Sequence, residues 1–215
     1  MSRPVHLSIL AASIAVLGLT NAAQAETIEF TDTVDLAPTN WADTVTFPLF
    51  DAGLGDLISV TFELGGHVEG SARFESLDAE ATTVTMNLAA EIDLERPDNS
   101  NLVTVLPLVD TSDDVTAFDG VIDFEGDSGR TYEELTGDDA ESVTTTAPAD
   151  LALFTGVGDI DLPAAATGAS TGSGAGNLIL QFATSASADV KVIYEYEPVV
   201  PVVESTWGQV KSLYR

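Results

Sequence analysis

An uninterrupted alternation of apolar and polar side chains over residues 57–64 constrains the fold most strongly. Ile58, Val60, Phe62 and Leu64 fall on one face of this segment. A period of two indicates a half-buried β-strand. Similar β-branched segments recur between Gly, Pro, Asn and Asp, and no long amphipathic helix is evident between residues 26 and 198. The pattern therefore predicts an all-β fold, a single antiparallel β-sandwich that is jelly-roll-like or immunoglobulin-like.

Several local features refine this prediction. Gly65 and Gly66 indicate a turn after the alternating strand, with His67 solvated beside it. Residues 136–150 are polar without a period, which predicts a surface excursion. Residues 164–176 are rich in small residues and predict a flexible loop. Residues 178–196 predict a hairpin that turns at residues 185–188.

The charge of the chain limits its partners. There are 7 Lys and Arg residues against 35 Asp and Glu residues, a formal net charge of -28. Such a polyanion is repelled by nucleic acid and by anionic lipid surfaces, so neither is an expected partner. A solvated acidic surface is the simplest interpretation. The sequence has no cysteine, which excludes disulfides and thiolate metal sites.

The N-terminus has the features of an export signal. Arg3 and His6 precede an apolar run over residues 7–19, and Ala23 and Ala25 form an A-x-A cleavage site. We expect residues 1–25 to be a signal peptide for the general secretory route, and a mature chain that starts at Glu26. An uncleaved anchor is the alternative, but the run falls short of the ~20 residues of a spanning helix. The prediction is a secreted or cell-surface protein without a membrane span in its mature chain.

Candidate catalytic groups are few. Signal cleavage leaves His67 as the one histidine, which argues against multi-histidine metal centres and histidine-dependent nucleophiles. Residues 168–172 match G-x-S-x-G but lie in a low-complexity segment with no histidine after them. We therefore predict no enzyme activity, no catalytic residues and no cofactor, with a carboxylate-based hydrolase as the weakest alternative.

The densest motif spans residues 118–132. Gly120 indicates a tight turn because glycine accepts a positive φ, and Gly126 and Gly129 frame a second turn. Residues 121–124, which include Phe124, are predicted to form a short strand between them. Arg130 is expected to pair with a nearby carboxylate, Asp123 or Asp127, and to stabilise the turn.

Two ligand hypotheses follow from individual side chains. Calcium prefers several carboxylate and carbonyl oxygens, and Asp119, Asp123, Glu125 and Asp127 could supply them, although ordinary solvated acids are the simpler interpretation. A glycan-binding surface would need exposed aromatic side chains, for which the candidates are Trp41, Tyr132 and Tyr194.

The C-terminus differs from the body. Residues 199–215 begin as a Pro/Val linker and end in a segment that could form a short helix. This segment predicts a sorting or docking tag that contains Trp207, Lys211, Tyr214 and Arg215. The alternative is an incidental terminus.

The body of the chain, over about residues 31–198, resembles the bacterial choice-of-anchor E domain proteins. The resemblance rests on residues 50–61, 118–120, 123–124, 126–131, 174–178 and 193–198. It implies an exported domain whose C-terminal sorting signal varies, often of the PEP-CTERM type, and it implies no established activity. Residues 198–201 stand where a Pro-Glu-Pro signal occurs in such proteins, but no apolar helix follows them in this sequence.

The functional expectation combines these points. We expect a non-catalytic protein with a structural or adhesive role in the bacterial envelope or extracellular matrix. A glycan-binding module, with structural calcium, is the alternative. Extracellular polysaccharide and envelope components are the expected partners.

Overall fold

The computed structural model describes residues 24–199. Ala25 lies directly before the first strand. Ala23 and most of the predicted signal peptide lie outside the described residues. So does the predicted tag, with Trp207, Lys211, Tyr214 and Arg215.

Ten β-strands and one short helix account for most of the described chain. The strands are β1 (Glu26–Pro38), β2 (Trp41–Pro48), β3 (Gly55–Ser76), β4 (Thr82–Glu95), β5 (Asn101–Val105), β6 (Leu108–Val115), β7 (Gly129–Thr145), β8 (Asp159–Gly168), β9 (Thr171–Ser173) and β10 (Leu178–Pro198). The helix α1 (Pro148–Leu153) precedes β8.

The strands form two antiparallel sheets. The four-stranded sheet has the order β1-β10-β3-β7. The six-stranded sheet has the order β2-β8-β4-β5, and β6 and β9 also pair with β4. β5 and β6 pair with opposite halves of β4, and so do β8 and β9. Each of these two pairs therefore acts as one interrupted strand, which leaves eight strand positions in all.

The order of the eight positions is that of a jelly roll. Pairing is nested, because β1 pairs with β10, β2 with β8, β3 with β7, and β4 with β5 and β6. A long hairpin wrapped around itself gives this arrangement, in which adjacent pairs alternate between two packed sheets. The all-β antiparallel sandwich predicted from the alternation is confirmed, and the strand order selects the jelly roll over the immunoglobulin-like alternative.

Buried side chains of alternate residues fill the space between the sheets. The main cluster includes Phe62 of β3, Tyr194 of β10 and Leu94 of β4, each fully buried. A second, smaller cluster contains Phe74, Met86 and Val115 and lies beyond a bulge in β3. The inward positions of β3 therefore contribute to both clusters, as the period of two requires.

Three local predictions about turns and loops are wrong for a shared reason, namely that small residues mark close packing in this chain. β3 continues through Gly65 and Gly66. Position 66 needs glycine for close packing rather than for a turn, because a Cβ there would lie 2.6 Å from a Val105 methyl group. β10 is one strand rather than a hairpin, and Ala186 and Ala188 in its middle are buried. Residues 164–176 include the end of β8 and all of β9 instead of a flexible loop.

Two further predictions also need correction. Residues 136–150 contain most of β7 and the start of α1 rather than a surface excursion. β7 lacks the alternation of a half-buried strand because it is an edge strand, where charged side chains are common. Residues 121–124 are a loop rather than a strand.

An ion pair attaches α1 to the loop between β4 and β5. Arg96 donates from Nε and Nη2 to the two carboxylate oxygens of Asp150, at 2.8 and 3.0 Å. Thr145 donates to the same carboxylate at 2.7 Å. Hydrogen bonds from Arg96, opposed by desolvation and reinforced by Thr145, hold the pKa of Asp150 below its usual value.

We expect Asp150→Asn to lower the free energy of unfolding by about 1–3 kcal/mol at pH 7, because a bidentate charged pair is lost. Asp150 has a lower pKa when folded, so its contribution is complete above the unfolded pKa of about 3.9 and disappears as pH falls through the folded pKa. Urea unfolding of wild type and variant at several pH values measures this. A stability gap that widened on acidification would contradict it.

Candidate functional site

A buried carboxylate organises the motif that the sequence identified. Glu75 of β3 points to the outer side of the four-stranded sheet, where residues 116–128 fold over it and bury it completely. Its carboxylate accepts hydrogen bonds from the Phe124 backbone N–H at 2.8 Å and from Ser128 Oγ at 2.6 Å. The backbone N–H groups of Val121 and Phe124 thus bind the side chains of Asp119 and Glu75 instead of a neighbouring strand, and residues 121–124 form a loop.

Two glycines of the motif have the positive φ that a turn requires, with φ of 98° at Gly120 and 70° at Gly126. Gly129 has a different function. A Cβ at this position would lie 2.5 Å from a carboxylate oxygen of Glu75 and 2.7 Å from the Glu125 nitrogen. The residue opposite Glu75 must therefore be small for the loop to close.

The predicted partners of Arg130 are wrong. Its Nε lies 3.9 Å from Asp113 of β6, and its Nη1 donates to the carbonyl oxygens of Gly126 and Gly129 at 2.6 and 2.5 Å. Arg130 does stabilise the turn, as expected, but through carbonyl groups rather than through Asp123 or Asp127. Asp113 lies in another strand, which the sequence could not relate to Arg130.

The four carboxylates suggested for calcium are not gathered around a common point. Asp119 accepts the Val121 N–H at 2.9 Å, and Asp123 accepts the Glu125 N–H at 3.0 Å. Both therefore close local turns. Within residues 24–199 no group of three or more His, Asp or Glu side chains is arranged to hold a metal ion.

We expect millimolar calcium to raise Tm no more than magnesium does at equal ionic strength, since both cations only screen the acidic surface. Asp123→Asn should change Tm little, because asparagine also accepts the turn hydrogen bond. Thermal unfolding of both proteins with each cation measures this. A shift of several degrees specific to calcium and abolished by Asp123→Asn would establish the metal instead.

The aromatic residues suggested for glycan binding are separated and have structural contacts. Tyr194 is fully buried, and its hydroxyl donates to the Pro48 carbonyl at 2.9 Å. Trp41 Nε1 donates to the Ala186 carbonyl at 3.0 Å. Tyr132 donates to Asp113, and desolvation, followed by this hydrogen bond, raises its pKa to about 12. Tyr194 cannot contact a glycan, and the three do not form one exposed cluster.

The outer face of the four-stranded sheet is a broad open surface. Outward positions in the middle of β10 carry small side chains, and on β3 the small residues Gly65 and Ser71 stand on either side of His67 and Glu69. We call this shallow depression the outer trough, formed by Gly65, His67, Glu69, Ser71, Asp138, Ala140, Ala183, Ser185, Ser187 and Asp189. Its small central residues leave space that larger side chains would fill.

Two grooves make up most of the outer trough. One has a volume of about 680 Å³ and lies beside the β3 bulge, where Glu69, Glu133 and Glu134 line it. The other has a volume of about 670 Å³ and contains Gly65 and Ala140, with Glu141 and Asp189 among its acids. We call the second one the central groove.

His67 lies in β3 rather than in a turn, and its ring lies between two acids. Nδ1 is 2.7 Å from the Asp138 carboxylate, and Nε2 is 3.7 Å from that of Glu69. Ser187 is directly opposite His67 on β10, so serine, histidine and aspartate share one row of the sheet. Because the second ring nitrogen faces Glu69, this row lacks the serine–histidine contact of a nucleophile site.

Every Lys and Arg side chain in residues 24–199 has an internal partner. Lys191 contacts Glu63 at 2.7 Å. Arg73 donates to Gln181 at 2.6 Å and lies 4.5 Å from the centre of the Phe124 ring. Arg96 and Arg130 have the contacts described above. The outer trough therefore presents acids whose charge is little compensated.

The alternation of residues 57–64 also indicated the outer trough, but this was missed because Gly65 and Gly66 were interpreted as a turn. Glu63, Gly65, His67, Glu69 and Ser71 continue the alternation of residues 57–64 on the same outer face. Extending the period through the two glycines would have placed them in one row. Glu75 and Asp113 carried no comparable signal, because their partners are distant in sequence.

The fold and the site together define a jelly-roll sandwich with one broad, open and acidic face. No protein-family model matches the sequence. A search of curated proteins also finds no match. Among the residues that the structure describes, no helix is long and apolar enough to cross a membrane.

Solved structures give weak similarities, among them structures from infectious bursal disease virus. The subviral particle of infectious bursal disease virus VP2 matches with a TM-score of 0.24 and 14% identity, over 87% of this chain and 42% of that chain. The T=1 particles derived from the same virus match with a TM-score of 0.20 and 14% identity, over 80% and 37%. The chain thus spans less than half of these proteins, and such scores support no inference about function.

Proposed function

We propose that this protein is an exported, non-catalytic jelly-roll domain with a structural or adhesive role in the bacterial envelope or extracellular matrix. The observation that supports this role best is the outer trough, a wide and shallow surface on long paired strands. β3 and β10 pair from Gly55–Pro198 to Ser76–Leu178, so the surface extends along the whole length of both strands. Such a surface suits contact with an extended polymer better than enclosure of a small molecule.

The start of the fold supports export. β1 begins at Glu26, the residue that follows the predicted cleavage site, and Glu26 pairs with Tyr196. The Tyr196 hydroxyl also donates to the Glu26 carboxylate at 2.8 Å. Cleavage after Ala25 therefore removes no paired residue. N-terminal sequencing of protein recovered from the periplasm or medium should give Glu26, and recovery of the uncleaved chain in membranes would contradict this step.

The chemistry of the trough indicates the class of partner. Serine hydroxyls and carboxylates along it offer donors and acceptors for sugar hydroxyl groups, while its charge repels polyanions. An uncharged polysaccharide fits this surface, as does an envelope component that presents amines. The two classes can be separated by the same binding experiment.

Gly65 allows the trough to be filled without disturbing the core. A Cβ at this position meets only Asp189 atoms at 3.8 Å, an ordinary contact distance. We expect Gly65→Phe to fold normally and to fill the central groove. Gly65→Ala is the matched control, since a methyl group leaves the groove open.

Co-sedimentation with insoluble neutral polysaccharides and with purified envelopes tests the role. We expect wild type and Gly65→Ala to bind, and Gly65→Phe to bind about tenfold more weakly, a loss of about 1.4 kcal/mol. Binding to polysaccharide alone would identify a glycan-binding module. Equal binding of all three proteins, or no binding to any material, would overturn the assignment of the trough.

A further inference from the structure

We propose that the C-terminal segment of this chain, residues 207–215, docks in the central groove of the outer trough. This goes beyond the proposed function, because the occupant is part of the protein itself. The tail and an external polymer then compete for the central groove, and a bound polymer displaces the tail. It gives a role to the tag that the sequence singled out. The described residues support it through charge, shape and reach.

Charge complementarity is the first support. Asp32, Glu63, Glu141 and Asp189 line the central groove, and its one cation, Lys191, is bound to Glu63. All the Lys and Arg side chains of residues 24–199 have internal partners, as shown above. The remaining basic residues after Glu26 are Lys211 and Arg215. The groove therefore has unbalanced acids, and the tail has the cations that could neutralise them.

The shape of the groove suits an aromatic side chain. Gly65 and Ala140 face each other across β3 and β7, and a shallow, largely apolar space remains between the acidic side chains. A tryptophan or tyrosine buries about 150–250 Å² and combines an apolar ring with a polar edge. Trp207 and Tyr214 are the aromatic residues of the tail, each close in sequence to a cation.

The reach of the tail is sufficient. The Val199 N–H donates to the Leu54 carbonyl at 3.0 Å, which fixes the point from which the tail starts. Lys191 lies eight residues before Val199 on β10, and Trp207 lies eight residues after it. At about 3.3 Å per extended residue, each interval spans about 26 Å. A chain reversal uses several of these residues, but the sixteen residues after Val199 span about 53 Å when extended, so a tail that returns over the outer face can bring its aromatic and basic residues to the level of Lys191.

Tryptophan fluorescence of the full chain tests the docking. The chain contains two tryptophans, Trp41 and Trp207, so the difference between wild type and Trp207→Phe isolates the emission of Trp207. We expect a blue-shifted emission that is protected from acrylamide, a neutral quencher. Gly65→Phe and Asp189→Lys should each release the tail and raise the acrylamide quenching constant about threefold, as expected for loss of a buried ring contact.

Glu91→Lys is the matched control for charge, because Glu91 is an exposed residue on the six-stranded sheet. It should leave the emission of Trp207 unchanged. Protection that is independent of protein concentration supports docking within one chain. Protection that appears only with dimers in light scattering would overturn it in favour of docking on a second copy. A solvent-exposed emission in wild type would overturn docking altogether, whatever the polysaccharide assay shows.

Discussion

Gly70→Ala is expected to abolish or severely weaken folding. Gly70 lies at the bulge of β3, where this strand is paired with both β10 and β7. A Cβ here would lie 1.8 Å from the Ala183 carbonyl oxygen and 2.9 Å from its carbon. These are backbone atoms of the central strand β10, so no side-chain rotation can relieve the clash. We expect a loss of at least about 4 kcal/mol, a large part of the ~5–15 kcal/mol stability of a domain.

The measurement is urea unfolding followed by circular dichroism, with the soluble yield as a second readout. Gly65→Ala is the matched control, because it adds the same methyl group to the same strand without a close contact. It should be neutral or slightly stabilising, since alanine reduces the entropy of the unfolded chain. Stability of Gly70→Ala within 1 kcal/mol of wild type would show that the bulge has more space than the structure gives it.

The contrast between these glycines shows how far the sequence could predict the fold. Alternation in residues 57–64 correctly gave the class of fold, because inward side chains must be apolar wherever two sheets pack. The alternation did not indicate whether Gly65 and Gly66 form a turn or continue the strand. Glycine permits turns and also permits close approach of packed layers, and only the neighbouring strands decide between these two uses.

Strand pairing shows a second limit of the sequence. Thr83 binds Asp114 at 2.6 Å, and Asn87 binds Asp110 at 2.8 Å, across β4 and β6. On the exposed side of the six-stranded sheet, these hydroxyl and amide groups pair with acids where cations would be expected. The composition showed the shortage of cations but not which polar groups replace them, because each pair depends on strand register.

The candidate site also contains features that the sequence could predict and features that it could not. Local features of the central motif, such as the turn at Gly120, could be predicted from neighbouring residues. Features that depend on distant partners could not. Arg130 interacts with Asp113, and the Phe124 N–H binds Glu75, which is 49 residues earlier in the chain. The outer trough required the register of three strands to be known.

Glu75→Leu is expected to lower the free energy of unfolding by about 3 kcal/mol and to release the loop over residues 116–128. Leucine leaves the Phe124 N–H and the Ser128 hydroxyl buried without an acceptor, and each unsatisfied group costs about 1–3 kcal/mol. Glu75→Gln keeps the size and one acceptor oxygen, but its amide group meets a second donor. Its expected cost is therefore smaller, about 1–2 kcal/mol.

Two measurements distinguish this buried carboxylate from an ordinary acid of the same strand. Urea unfolding should rank the proteins as wild type, Glu75→Gln and Glu75→Leu, and the exchange of the Phe124 amide should accelerate in the same order. Glu69→Gln, at an exposed position of β3, should stay within about 0.5 kcal/mol of wild type. If Glu75→Leu were as stable as wild type, hydrophobic burial would outweigh both hydrogen bonds, and the loop would be held by Arg73 and Arg130 instead.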